Sequence, residues 1–317
     1  MALVLIRYGE LALKSHKVRR RFEENLINGI GHQFDRYDLE WIIENDHGRI
    51  FLHTSPEQLS IAILLLRHIP GIVSVSHVEQ FEITNGLTTI VERSARFSLG
   101  CLKSGQSFVV RARRAGSHAF TSQEAAALSG EKILDAVPGS FVKLKKSDVT
   151  IHLEIRGRRG YLFTESHKGM GGLPPGSQGK VMLLLSGPNS MIAGYLLMKR
   201  GCKIIPVHYI DHDSEIEEQY NLLKLYDPFL RLVTFQVPMN EESLLSSVEG
   251  TDALAVVTGH RTSNFDPTFS VGTIPVFHPL TGHTYEMMKR IHDEMTLFQE
   301  EIEILYTGPG REKNDIN

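Results

Sequence analysis

The chain has 317 residues, 41% of them hydrophobic and 22% charged, with a net charge of −3 and two cysteines. That composition belongs to an ordinary globular protein of two or three domains. No apolar run reaches the roughly 18 residues of a membrane span, and two distant cysteines, Cys101 and Cys202, exclude a disulfide framework or a site of several thiolates. The opening MALVLIRYGE is apolar too briefly for a secretion signal, so the expected compartment is the cytoplasm, with no membrane partner. Charge is unevenly spread: 23 Lys and Arg face 18 Asp and Glu over residues 1–170, and 11 face 19 over the remainder. A polyanion is therefore expected to dock on the first half.

Leu3–Tyr8 reads as a strand, followed by a helix that Ser15 caps and that lines up Val18, Phe22, Leu26 and Ile30. Glu40–Glu44 and Arg49–His53 form a hairpin pattern around Asn-Asp-His-Gly. Ser55-Pro56-Glu57-Gln58 combines an N-cap, Pro at the first helical position and a capping-box glutamine, and Ile72–Val78 follows as a fourth strand. The order βαββαβ predicts a ferredoxin-like unit. A second unit comprises a helix over Leu87–Leu99, a strand over Ser107–Arg113 and a helix opened by the capping box Thr121-Ser122-Gln123-Glu124. Strands at Phe141–Leu144, Asp148–Arg156 and Gly160–Glu165 complete it.

His167–Gly179 is too rich in Gly and Pro for regular structure and reads as a boundary. Beyond it, apolar strands alternate with helices from Lys180 to Thr258, which predicts a doubly wound parallel sheet. The final helix carries Met288, Ile291, Met295, Phe298 and Ile302 on one face, as core or as the interface of a homodimer. The tail from Gly308 is polar and expected to be disordered.

Several positions carry candidate chemistry. Arg111, Arg113 and Arg114 lie at a strand end, Lys143, Lys145 and Lys146 on a neighbouring strand, and Arg156 at a hairpin. Alternation puts Arg111 with Arg113, and Lys143 with Lys145, on shared faces, a pattern suited to phosphate contacts. His118, Phe120, Thr121 and Ser122 lead into a helix whose N-terminus favours phosphate. Phe120 is equally a base-stacking residue or a hydrophobic staple. Arg7, Lys14, Arg19, Arg20 and Arg21 extend the basic track. Asp211-His212-Asp213 more often makes turns than a metal site, and no Ser/His/Asp arrangement with a nucleophile turn occurs, so no catalytic or metal residue is assigned.

Three stretches together resemble the tRNA 4-thiouridine synthetase family, known as ThiI. IRYGELALKSHKVRRRFEENL is similar to its N-terminal ferredoxin-like domain. VVRARRAGSHAFTSQEAAALSGEKIL with FVKLKKSDVTIHLEIRGRRGYLF resembles the THUMP domain. GMGGLPPGSQGKVMLLLSGPNSMIAGYLLMKRGCKIIPVHY resembles its linker and PP-loop domain. The resemblance implies α+β ferredoxin-like (1–75) and THUMP (76–165, a profile starting near 57) domains, a linker over 166–179 and an α/β PP-loop domain over 180–307. It also implies that the first two hold the acceptor end of tRNA. The third would adenylate a uridine with ATP and Mg, and a persulfide cysteine would then deliver sulfur.

The third stretch departs from the family's Ser-Gly-Gly-x-Asp-Ser. Ser186-Gly187-Pro188-Asn189-Ser190 is one residue shorter, and Pro188 lacks an N–H. Ser186, Gly187, Asn189 and Ser190 remain as a degenerate anion site. His260 stands where the family has glutamate, the Tyr209–Leu254 segment is shorter than the family's, and no cysteine follows Cys202 within the sequence. The expected function is tRNA binding without ATP-dependent adenylation. The alternatives are a tRNA sulfurtransferase served by an external sulfur carrier, and a partner-binding role.

Overall fold

The computed structural model of the chain describes residues 1–9, 15–46, 48–210, 216–236 and 239–306. The first elements are β1 (Ala2–Tyr8), α1 (His16–Arg36), β2 (Ile42–Asp46), β3 (Arg49–Thr54), α2 (Leu59–Arg67) and β4 (Ile72–His77). Along α1 the four-residue spacing does its expected work, since Phe22, Leu26, Ile30 and Phe34 are all buried. The helix starts after Ser15, but Ser15 contributes its backbone carbonyl to Arg19 and no side-chain cap. The expected box at Ser55 is also absent. Pro56–Gln58 forms a 3-10 turn, and the Gln58 side chain instead accepts from the Glu40 N–H at 2.9 Å.

The next elements are β5 (Glu79–Glu82), α3 (Gly86–Cys101), β6 (Ser107–Ala115), α4 (Ser122–Ala136), β7 (Phe141–Val142), β8 (Val149–Arg156), β9 (Arg159–Phe163) and β10 (His167–Lys168). The first sheet has the order β10-β4-β1-β3-β2, so a ferredoxin-like β4-β1-β3-β2 arrangement gains an edge strand from the start of the Gly/Pro-rich segment. That segment is thus irregular only after Lys168. Two residues suffice for a strand when an edge offers unpaired backbone groups.

The second sheet has the order β5-β9-β8-β6-β7. Strand β6 pairs parallel with both β7 and β8, which is antiparallel to β9. One face of β6 and β8 (Phe108, Val110, Ala112, Ile151, Leu153 and Ile155) shares a core with Ile90, Ala125 and Ile133 of α3 and α4. The other turns Arg111 and Arg113 outward.

The remaining elements are β11 (Lys180–Leu184), α5 (Pro188–Lys199), β12 (Lys203–Tyr209), α6 (Glu217–Lys224), β13 (Val233–Phe235), α7 (Glu241–Thr251), β14 (Val256–Val257), β15 (Val276–Phe277) and α8 (Tyr285–Tyr306). The third sheet is parallel throughout, in the order β13-β12-β11-β14-β15. The order reverses between β11 and β14, the switch point where open parallel sheets bind ligands beyond the strands' C-terminal ends. Between β14 and β15 only a 3-10 turn, Thr262–Asn264, replaces the crossover helix.

By contact density the chain divides into residues 1–5, 51–53 and 76–167, and residues 6–50, 54–75 and 168–317. Within the second unit, Met288, Met295, Phe298 and Ile302 of α8 are buried, and α8 packs against α2, α5 and α6. Those four residues of the stripe are thus covered within the chain, while Met287, Leu297, Ile304 and Leu305 of the same helix stay exposed. Arg36 Nη1 and Gln33 Nε2 of α1 donate to the carbonyls of Lys224 at 2.6 Å and Leu225 at 2.9 Å, at the end of α6. Gly172 lies against α5, where its φ of +80° and a Cβ that would stand 1.9 Å from the Lys199 oxygen demand glycine. Among the described residues no helix is long and apolar enough to cross a membrane.

Candidate functional site

Two places gather the candidate residues. The first is the free-edge side of the second sheet, where β6 runs past the turn after β7. Parallel register sets Arg111 beside His152 and Arg113 beside Glu154, with both arginines exposed. Arg111 Nη2 donates to the Leu144 carbonyl at 2.6 Å. That bond ties the arginine to the turn bearing Lys143, Lys145 and Lys146, all exposed. Asp148 pins the far end of the turn by accepting from the N–H and Oγ of Ser107 at 2.8 and 2.6 Å. Those bonds hold its carboxyl below the usual aspartate range, the side-chain bond most.

The lysines are brought together in a different way from the expected strand alternation. Strand β7 stops at Val142, so Lys143, Lys145 and Lys146 occupy a turn that Lys146 closes with φ +51°. Arg114, at the strand end, donates to the Gly116 carbonyl at 3.2 Å. Arg156 differs from expectation. Its Nε donates to Glu154 Oε1 at 2.8 Å and its side chain is 11% exposed, so it supports the sheet rather than the surface.

The start of α4 carries the expected capping box. The box at Thr121 forms in full: Thr121 Oγ1 accepts from the Glu124 N–H, and the Glu124 carboxylate accepts from the Thr121 N–H at 2.7 Å. The backbone and side-chain bonds from Thr121 hold the Glu124 carboxyl low, so a carboxylate already occupies the helix N-terminus beside Ser122. Phe120 is half-buried against the core that includes Ala125, as a staple requires, and His118 bonds the Gly157 carbonyl at 2.9 Å. Arg7 on β1 and Arg19, Arg20 and Arg21 on α1 belong to the other contact unit, where Arg20 pairs with Glu24 at 2.9 Å. Lys14 and Asp211-His212-Asp213 lie outside the described residues, and among the described residues no cluster suited to a metal occurs.

The second place is the switch point. Leu184, Ser186–Ser190, Met239, Thr258–His260, Asn264, Asp266 and Phe269 line a cleft of about 600 Å³. Gly187 caps α5 at φ +145°, a conformation that only glycine takes readily, and Pro188 begins the helix. The loop's donors turn inward. Ser190 Oγ accepts from the Ser186 N–H at 2.8 Å and the Gly187 N–H at 3.1 Å, while donating to the Gly187 carbonyl at 2.8 Å. Two of the N–H groups that would cradle a phosphate, those of Ser186 and Gly187, are thus satisfied by the loop's own hydroxyl. Across the cleft Gly259 abuts α5, where an added Cβ would stand 2.5 Å from the Ser190 nitrogen. Thr258 Oγ1 lies 2.7 Å from His278 Nδ1, and the His278 and His260 rings stack at 5.5 Å. Burial, then His260, lowers the pKa of His278. Burial also raises both thiols, Cys101 and Cys202, so neither is activated as a nucleophile.

Three family models match in sequence order: the ThiI ferredoxin-like domain over residues 3–76, the THUMP domain over 100–165, and thiamine biosynthesis protein (ThiI) over 176–239. A probable tRNA sulfurtransferase of Methanothermobacter thermautotrophicus is 42% identical over 65% of this chain and 52% of its own length. One from Methanosarcina mazei is 35% identical over 74% of this chain and 57% of its own. The chain thus spans about half the length of these curated relatives. Among solved structures, the protein PH1313 of Pyrococcus horikoshii Ot3 has a TM-score of 0.79 at 29% identity, covering 93% of this chain and all of that one. A 4-thiouridine synthetase–RNA complex with bound ATP shares the fold, with a TM-score of 0.76 at 23% identity over 98% of this chain and 87% of that one. With ferredoxin-like, THUMP and parallel-sheet domains in this order, the chain belongs to the ThiI family.

Proposed function

We propose that the protein binds tRNA in the cytoplasm through its THUMP sheet, gripping the acceptor end by phosphate contacts, and that its PP-loop domain does not adenylate. The exposed cluster of Arg111, Arg113, Lys143, Lys145 and Lys146 supports the RNA reading, because cations on a fixed edge release counterions from a polyanion. The relatives' name, tRNA sulfurtransferase, supports tRNA as the partner.

One observation carries the second half: Ser190 Oγ takes both loop N–H groups beside a proline that has none. A triphosphate would have to displace that hydroxyl. Each charge-assisted bond forgone is worth about 1.5–3 kcal/mol, so two weaken nucleotide binding by roughly two to four decades.

The test is calorimetric titration of the protein with tRNA, then with ATP and magnesium in the presence and absence of tRNA. Salt-sensitive tRNA binding with no ATP binding in the micromolar range is expected. Micromolar ATP binding would restore the sulfurtransferase reading, with Ser186, Gly187 and Ser190 as phosphate donors and an external protein as sulfur carrier.

A further inference from the structure

The free edge of the second sheet is unusual in what it exposes. Edge strands are normally blunted with charge, yet on β7 and the turn after it Phe141 is 51% and Leu144 67% exposed. Neither joins the core formed with α3 and α4. The backbone beneath them is nevertheless fixed: the Phe141 N–H donates to the Gln106 carbonyl at 3.2 Å, and the Lys143 N–H to that of Phe108 at 2.9 Å. Phe141 pairs in parallel register with Ser107, which sets it on the Ser107–Val109–Arg111–Arg113 face rather than the Phe108 face. The Arg111 bond to the Leu144 carbonyl holds guanidinium and turn together, and uses one of the arginine's five N–H groups.

We propose that Phe141 is a stacking platform for an unpaired RNA base, with the phosphates beside that base held by Arg111 and Lys143. A rigid exposed aromatic ring set among cations suits a single strand, whose bases offer π-faces while its backbone offers charge. A duplex keeps its bases stacked and would use the cations alone. An apolar protein partner would have to strip water from these cations without pairing them. The inference rests on the RNA reading above and names where an unpaired end is held. Phe120, the alternative, is half-buried as a staple.

The experiment measures binding of two RNAs that share one duplex, one blunt and one with a single-stranded 3′ end, to wild type, Phe141→Ala and Phe141→Tyr. Wild type is expected to favour the overhang, and Phe141→Ala to reduce that preference roughly ten-fold. Affinity for the blunt duplex and its salt slope stay unchanged, and Phe141→Tyr keeps the preference. A preference that survives in Phe141→Ala, an equal loss for both RNAs, or no preference in wild type overturns the platform. Wild type that binds neither RNA overturns the RNA reading and the platform with it.

Discussion

Acidification is expected to loosen the second contact unit at His68, just beyond α2. Its Nδ1 lies 2.9 Å from the Leu64 carbonyl, and its ring stacks on Phe298 of α8 at 3.7 Å, nearly parallel at 13°. Burial lowers its pKa from 6.5 to about 4; Arg67 adds to that shift, while the bond to Leu64 opposes it. Because the folded state holds the pKa down, the unfolded chain binds the proton more readily. The stability His68 contributes is therefore complete above 6.5 and lost as the pH falls through 4. The full shift corresponds to about 3 kcal/mol, of which about 2 kcal/mol is gone by about pH 5. The assay is urea unfolding of wild type and His68→Phe near pH 7 and near pH 5. The variant, whose ring cannot charge, should lose less stability than wild type between the two pH values by about 2 kcal/mol. Equal losses in the two proteins would refute the assignment of that stability to a neutral, buried His68.

Arg111→Ala with Arg113→Ala should lower the slope of log K for tRNA against log salt by roughly one for each phosphate no longer neutralised, read by filter binding across a salt series. Ser190→Ala removes the acceptor of the Ser186 and Gly187 N–H groups, so the variant should be less stable in buffer by about 1–3 kcal/mol. Added inorganic phosphate should then raise its Tm more than that of wild type. Gly172→Ala should cost about 2–4 kcal/mol in chemical unfolding, through a positive φ and a clash with the Lys199 carbonyl.

Elements with a strong period or a complete local signal were legible in the sequence. The Phe22–Leu26–Ile30 stripe is buried as its spacing requires, and Thr121 to Glu124 form the box that the letters spell. Signals that depend on a partner far along the chain were not. Gln58 meets Glu40 instead of its own helix, and His167–Lys168 is a strand only because the first sheet offers an edge. Arg156 has the look of a surface cation because nothing local shows that the strand face it shares with Glu154 is buried. The α8 stripe is visible as apolar, but whether α2, α5 and α6 or a second copy covers it is a tertiary question.

At the candidate sites the residue types were readable and their geometry was not. Alternation places Arg111 and Arg113 correctly on one face of β6. It fails for Lys143 and Lys145 because β7 ends at Val142 and the chain turns. Sequence reasoning misses Phe141 and Leu144, although the alternation of apolar and basic residues in Phe-Val-Lys-Leu-Lys-Lys is a signal for a short exposed edge. In the nucleotide loop the missing N–H of Pro188 is evident from its side chain. That Ser190 turns its hydroxyl inward to satisfy Ser186 and Gly187 required the fold.

On the proposed reading the PP-loop domain keeps its strand–turn–helix shape and does not adenylate tRNA. Purified protein given ATP, magnesium, tRNA and a persulfide donor should then release no more pyrophosphate than it does without tRNA. Pyrophosphate release that depends on tRNA would overturn that reading.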